Sequence, residues 1–267
     1  MKFKTALITG GTSGIGWALS QRLLDQGTKV YSVSRRIDKV PSYENFHSLK
    51  FDLFQVDDLK GFCQNFIEEY ELPDLLVNNA GYGAFFEWND FPEKEIHRQN
   101  KILFLAPILL TRFFAPLMAE AGNGAIMNLS SLAVTYPLPH MPMYNAGKSA
   151  LSTFTRSMML EYDEFPKFID FRMGDVKTNF NESCSRQLNE AWSKKMKSAW
   201  KQIEKQLIDS PEPEFASVQI MKVLKKDKSG VFYGGGFFQS AIASWVHRFL
   251  SEDVIRKLLL NRYYDEV

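Results

Sequence analysis

The stretch Thr9-Gly10-Gly11-Thr12-Ser13-Gly14-Ile15-Gly16 constrains this chain more than any other. Before it, Lys4 to Thr9 reads as a short buried strand built on Ala6, Leu7 and Ile8; after it, Trp17 to Leu24 has helical spacing. A chain that leaves a strand, bends at once and enters a helix needs residues without a Cβ at the bend. The amides at the helix start can then meet an anion such as a pyrophosphate. The spacing Gly-x-x-x-Gly-x-Gly departs from the commoner Gly-x-Gly-x-x-Gly, and a tight turn with no ligand would use the same residues. By itself the turn leaves both readings open.

A second feature bears on the choice. Tyr144 and Lys148, in Tyr144-Asn145-Ala146-Gly147-Lys148, fall one helical turn apart, which stacks a phenol beside an ammonium. Tyrosine titrates near 10 in water. A positive charge about 5 Å away, at an effective dielectric of about 20, favours the phenolate by roughly 3 kcal/mol, or about two pKa units. A second cation, such as an oxidised nicotinamide ring, would bring the phenol into the neutral range. The plainer alternative is a surface tyrosine and a solvated lysine.

Taken in order, Thr9-Gly10-x-x-x-Gly14-Ile15-Gly16, Asn78-Asn79-Ala80-Gly81, Ser131 and Tyr144-x-x-x-Lys148 resemble the motifs of the short-chain dehydrogenase/reductase family over most of the chain. Ser131 precedes Tyr144 by thirteen residues, the family's usual separation, which favours it over Ser130. The resemblance implies a catalytic set of Asn100, Ser131, Tyr144 and Lys148. Tyr144 would exchange a proton with the substrate oxygen while hydride moves to or from the nicotinamide, and Ser131 would hydrogen-bond the same oxygen. Lys148 would lower the tyrosine pKa and bind ribose hydroxyls. Asn100, expected at the start of a long helix, would hold a water linking Lys148 to solvent; outside the family it would read as a helix cap.

The resemblance also implies the cofactor contacts: Gly10, Thr12, Ser13, Gly14, Ile15 and Gly16 in the turn, Asp52 and Leu53 after the third strand, Asn79, Ala80 and Gly81 after the fourth, then Tyr144, Lys148, Val176 and Thr178. Asp52 would meet the adenine amine, or serve as a helix cap. The second strand, Lys29 to Val33, ends at Ser34-Arg35-Arg36 where an NAD-binding chain usually places an acidic residue. A guanidinium grips a 2′-phosphate that a carboxylate would repel, so NADP(H) is expected; Arg35 and Arg36 facing solvent, with Asp38 folding back, is the alternative. Met173-Gly174-Asp175-Val176-Lys177-Thr178 stands in place of the family's Pro-Gly-x-Val-x-Thr, and loss of the rigid proline φ would loosen that loop.

Strands are also expected at Leu49 to Phe51, Asp74 to Asn78, Ala125 to Leu129, Phe168 to Met173 and Gly230 to Tyr233. With alternating helices they predict a Rossmann-type doubly wound α/β fold, a mostly seven-stranded parallel sheet with helices on both faces. No linker or repeat divides the 267 residues, so one domain over 1–267 is expected. Ile102 to Ala119 is apolar but broken by Arg112, Pro107 and Pro116, and reads as a buried helix.

Residues 179–208 should form a substrate lid, with Trp192, Met196 and Trp200 at helical spacing, for packing or for substrate contact. A helical extension over 237–267 carries Phe237, Phe238, Ile242, Trp245, Val246, Phe249, Leu250, Ile255 and Leu258 to Leu260. It resembles the tails of family members that act on bulky lipophilic substrates; substrate, dimer and membrane contact all stay open for it. The expected function is NADP(H)-dependent interconversion of a carbonyl and an alcohol on an apolar, medium-to-large small molecule. The rival is a non-catalytic NADP(H)-sensing binding protein on the same fold.

Net charge of +1 argues against nucleic acid as a partner. Two cysteines, Cys63 and Cys184, give no disulfide framework, and the four histidines show no metal-ligand spacing, so no metal is expected. Cys184 lies where a place near the substrate stays open. With no signal-like apolar core at the amino terminus, a cytoplasmic address follows; a homodimer or homotetramer is expected, and peripheral membrane contact is not.

Overall fold

The computed structural model describes residues 3–37, 43–186, 192–243, 246 and 249–264. Asp38 and Trp245 lie outside them. Seven parallel strands form one sheet: β1 (Thr5–Thr9), β2 (Lys29–Ser34), β3 (Phe46–Lys50), β4 (Leu75–Asn78), β6 (Ala125–Ser131), β7 (Lys167–Met173) and β9 (Gly230–Gly234), in the order β3-β2-β1-β4-β6-β7-β9. This is the expected doubly wound fold. β1 is buried on both faces, which is why it reads as a continuous apolar run. Alternate side chains divide its contacts: Ala6 and Ile8 face α1 (Gly14–Leu24) and α7 (Pro213–Leu224), while Leu7 faces α2 (Leu59–Glu69) and α4 (Ala106–Glu120).

The third strand begins earlier than expected and stops before Phe51, because its register is set by β2, from Val30 opposite Phe46 to Ser34 opposite Lys50. Polar His47 and Ser48 interrupt the apolar pattern on this edge. His47 is held instead by stacking on Tyr31, ring centroids 5.0 Å apart. A pair of two-residue strands, β5 (Ala84–Phe85) and β8 (Ser185–Arg186), has no periodicity to show in the sequence. It ties the base of the lid to the loop after β4.

The apolar helix is longer than expected. α3 (Glu93–Asn100), a π-helical turn at Lys101–Leu105 and α4 run on as one 28-residue helix, Glu93–Glu120. By length and composition it could cross a membrane, yet Leu103, Ala106, Leu110 and Phe114 are fully buried against the sheet and α2. The strand order reverses between β1 and β4, and at such a point the crevice at the carboxyl ends of the strands is open to a ligand. The motifs meet there.

Candidate active site

A cleft of about 1660 Å³ runs along the carboxyl ends of the strands. Gly10, Thr12 to Ile15, Ser34 to Arg36, Asp52, Leu53, Asn79 to Gly81, Ser131, Tyr144, Lys148, Val176 and Thr178 all line it. Gly16 does not, but it makes the turn possible: a Cβ there would lie 2.2 Å from the Gly10 carbonyl oxygen. Gly14 opens α1 at φ +51°, and Ser13 caps the helix with no side-chain bond, so the first amides of α1 face the cleft. A backbone cradle that a Cβ would obstruct fits a pyrophosphate.

The Asn-Asn-Ala-Gly motif works largely as a fastener. Asn79 Nδ2 donates to the carbonyls of Thr9 (2.9 Å) and Gly10 (3.2 Å), while the amides of Asn79 and Ala80 both donate to Thr9 Oγ1 at 3.0 Å. Asn78 Nδ2 donates to Asn128 Oδ1 (2.7 Å), and Asn128 Nδ2 donates in turn to Thr155 Oγ1 (2.7 Å). The first pair fixes the turn; the second ties the sheet to α5 (Pro142–Glu161).

At the far end of β2, Thr12 Oγ1 donates to Ser34 Oγ at 3.0 Å. Arg35 and Arg36 are exposed at the cleft edge, and the Arg35 guanidinium stands 5.5 Å from the centroid of the Phe54 ring. Asp52 Oδ1 accepts from the Phe54 amide at 3.1 Å, so its carboxylate is partly committed to its own turn. No carboxylate stands in Ser34's place.

Ser131 is the last residue of β6, Tyr144 lies in the first turn of α5 and Lys148 one turn on. Ser131 and Tyr144 both line the cleft, with the serine hydroxyl near enough to act on the phenol. In the cofactor-free protein, burial pushes the Tyr144 phenol above its ordinary pKa; the Ser131 hydroxyl pulls it down and the charge of Asp175 pushes it up. Burial is the largest influence on the phenol, and Lys148 has its own penalty: burial lowers it to about 8, against the pull of Asp170. Its ammonium donates to the Leu129 carbonyl at 2.6 Å.

Asn100 needs correction. It ends α3 within the long helix rather than starting it, its side chain is exposed, and it is not among the residues lining the cleft. The residue that this helix sends toward Lys148 is Leu103. Leu103 Cδ2 is 3.0 Å, and Lys148 Nζ 3.7 Å, from where a Cβ on Gly81 would lie. The π-helical turn shifts the phase of the helix between residues 100 and 105, which motif spacing does not register.

The substrate side combines the lid with the tail. Trp192, Met196 and Trp200 pack with Phe85, Cys184 and Tyr263 beneath the lid helix α6 (Lys194–Ile208), while Ile203, Gln206 and Leu207 on that helix line the cleft. The stripe is packing, and the wall falls one turn later. Cys184 is buried, with its thiol pushed up to about 12, and is not among the cleft-lining residues; Cys63, likewise at about 12, lies on the buried face of α2. From α8 (Glu252–Tyr264), Ile255, Leu258, Leu259, Arg262 and Tyr263 close the other wall. Sequence periodicity had not distinguished these residues from the rest of the tail.

The loop after β7 is held more firmly than its missing proline suggests. The Asp175 amide donates to Gln239 Oε1 (3.0 Å), Gln239 Nε2 donates to Asp175 Oδ2 (2.5 Å), and the Gly174 amide donates to the Gly234 carbonyl (2.9 Å). Gln239, from the tail, had no signal in the sequence.

The family model described as short chain dehydrogenase matches residues 4–189. An uncharacterized oxidoreductase of Schizosaccharomyces pombe is 34% identical over 163 residues, 60% of this chain and 56% of that protein, so the match spans little more than half of the relative's length. A 3-ketodihydrosphingosine reductase of Bacteroides thetaiotaomicron is 29% identical over 187 residues, 68% of each chain. Among solved structures, a short-chain dehydrogenase from Streptomyces avermitilis superposes with a TM-score of 0.80 at 24% identity, covering 97% of this chain and 95% of that one, which speaks for the fold. With the family's glycine turn, Asn-Asn-Ala-Gly fastener and Tyr-x-x-x-Lys helix gathered on one cleft, the chain belongs to the short-chain dehydrogenase family, whose fold binds a nicotinamide cofactor.

Proposed function

We propose that the protein is an NADP(H)-dependent oxidoreductase interconverting a carbonyl and an alcohol on an apolar, medium-to-large substrate, with Tyr144 as proton donor and acceptor. The observation that carries this reading is the convergence of Ser131, Tyr144 and Lys148 on the same cleft as the glycine turn. The turn, Asp52, Leu53, Asn79 to Gly81, Val176 and Thr178 would hold the dinucleotide, with Ser34, Arg35 and Arg36 at its 2′-phosphate. When bound, the nicotinamide supplies or accepts the hydride.

Ser131 and Tyr144 then act as two donors to one substrate oxygen and stabilise the negative charge that develops there. A protonated phenol can deliver its proton to a carbonyl oxygen in reduction and take it back in the reverse oxidation. Lys148 holds a proton one turn away and its charge assists release from Tyr144. Asn100, exposed on the outer face, has no part in this scheme. Leu138, Met141, Phe180, Ile203, Leu207 and Leu259 give the substrate side its apolar walls. They support a lipophilic substrate over a sugar. The ketone in the name of the Bacteroides relative is the first to assay.

The test is consumption of NADPH and of NADH against lipophilic and hydrophilic carbonyls, with Tyr144→Phe as control. Expected are turnover of lipophilic ketones or aldehydes, a lower KM for NADPH, and loss of activity in the variant. Turnover confined to small charged sugars, equal KM values for the two cofactors, or an active Tyr144→Phe protein would each refute its part of the reading.

A further inference from the structure

Beneath these residues lies a buried ion pair that the scheme above does not use. Asp170 in β7 is fully buried and Arg172, two residues along the same strand, is 8% exposed. Arg172 Nε donates to Asp170 Oδ2 at 3.1 Å. Inside a core, such a pair is a weak source of stability, because desolvating both charges offsets their attraction.

The carboxylate has other partners. The Ser130 hydroxyl donates to Asp170 Oδ1, and the Ser152 hydroxyl donates to Oδ2 at 2.6 Å. Arg172 Nη2 reaches Ser152 Oγ at 3.1 Å, and Nη1 reaches the Tyr233 hydroxyl of β9 at 3.4 Å. Ser130 sits between Leu129, whose carbonyl receives the Lys148 ammonium, and Ser131. Ser152 lies one turn beyond Lys148 on α5. Asp170 thus ties the strand that carries Ser131 to the helix that carries Tyr144 and Lys148.

We propose that Asp170 is a positioning residue: its carboxylate, held by Arg172, sets the spacing between Ser131 on β6 and the Tyr144–Lys148 turn of α5. The proposal rests on the roles given to those three residues above. Misplacing a reacting group by 1 Å costs about 100-fold in rate, so a tie of this kind acts on turnover before it acts on folding. Burial works against the charge on Lys148, and Asp170 is the neighbour that works for it.

Two paired variants of the full chain test this with NADPH and a ketone that the unaltered protein reduces. Asp170→Asn with Arg172→Met removes both charges without leaving one alone in the core. Ser130→Ala with Ser152→Ala keeps the ion pair and cuts only the hydroxyl ties. In each, a cooperative melt and a KM for NADPH within about twofold are expected, with kcat lower by about tenfold or more. The isotope effect on kcat with 4-deuterated NADPH should rise as hydride transfer becomes limiting.

A purely structural Asp170 would lower the melting temperature and leave kcat per folded molecule and the isotope effect unchanged; that result overturns the proposal. Should the charge pair variant not fold, the serine pair decides. If Tyr144→Phe is inactive while both pairs keep full kcat, this inference alone fails; if Tyr144→Phe is active, the roles beneath it fail.

Discussion

The two ends of the cleft are built on different principles. At the dinucleotide end, backbone does most of the work: Gly16 leaves no room for a Cβ, Asn79 bonds carbonyls, and α1 turns its first amides outward. At the substrate end, side chains do it. Ile203, Leu207, Leu258 and Leu259 come from two helices that meet over the cleft, and Leu258 remains 55% exposed. A backbone site admits few sequences and so leaves a motif, whereas an apolar wall admits any residues of suitable volume and leaves none.

Four substitutions can break or sharpen this contrast. The largest effect is expected at the point where the two ends meet: Tyr144→Phe should cut kcat by about 10³-fold while NADPH binding, followed by fluorescence titration, changes little. Next, on the dinucleotide side, Arg35→Ala should raise the KM for NADPH by about 10- to 100-fold and leave that for NADH unchanged, since a charge-assisted hydrogen bond to phosphate is worth about 1.5–3 kcal/mol. A matched rise for both cofactors would place Arg35 outside phosphate recognition.

Smaller again, Leu259→Ala on the tail should lower kcat/KM for the most lipophilic substrate by about tenfold, from the loss of one to two buried methylenes' worth of contact at about 0.8 kcal/mol each. KM for NADPH should not move; if it does, the two ends are not independent. The smallest rate effect is expected for Leu103→Asn, within about threefold, because Leu103 is not among the residues lining the cleft. Its cost should appear in thermal unfolding, at about 1–3 kcal/mol for a polar group in an apolar pocket.

The same contrast explains what could be read before the fold was known. The glycine turn and the placement of Ser131, Tyr144 and Lys148 on one cleft follow from residues whose identity is forced by backbone approach or by spacing on one helix. β3 begins three residues before its expected start because His47 and Ser48 are held by pairing and stacking, which an apolar pattern does not record. Asn100 was misassigned because position along a helix gives its direction only while every turn has the same length. Gln239 and Asp170 act through partners 64 and 40 residues away in sequence, so no local signal marks them.

The irregular turn at Lys101–Leu105 has a mechanical consequence. Each residue of an α-helix advances the side-chain direction by about 100°, so one extra residue in a turn acts as a fixed rotational offset between the segments on either side. Upstream of it Gln99 grips the Tyr82 carbonyl, and downstream Leu110 and Phe114 seat in the core. Deleting a single residue there would leave the downstream anchors in place and swing Gln99 off its mark, releasing the loop that begins at Gly81. In this helix the chain stores an angle, and the cleft wall depends on it.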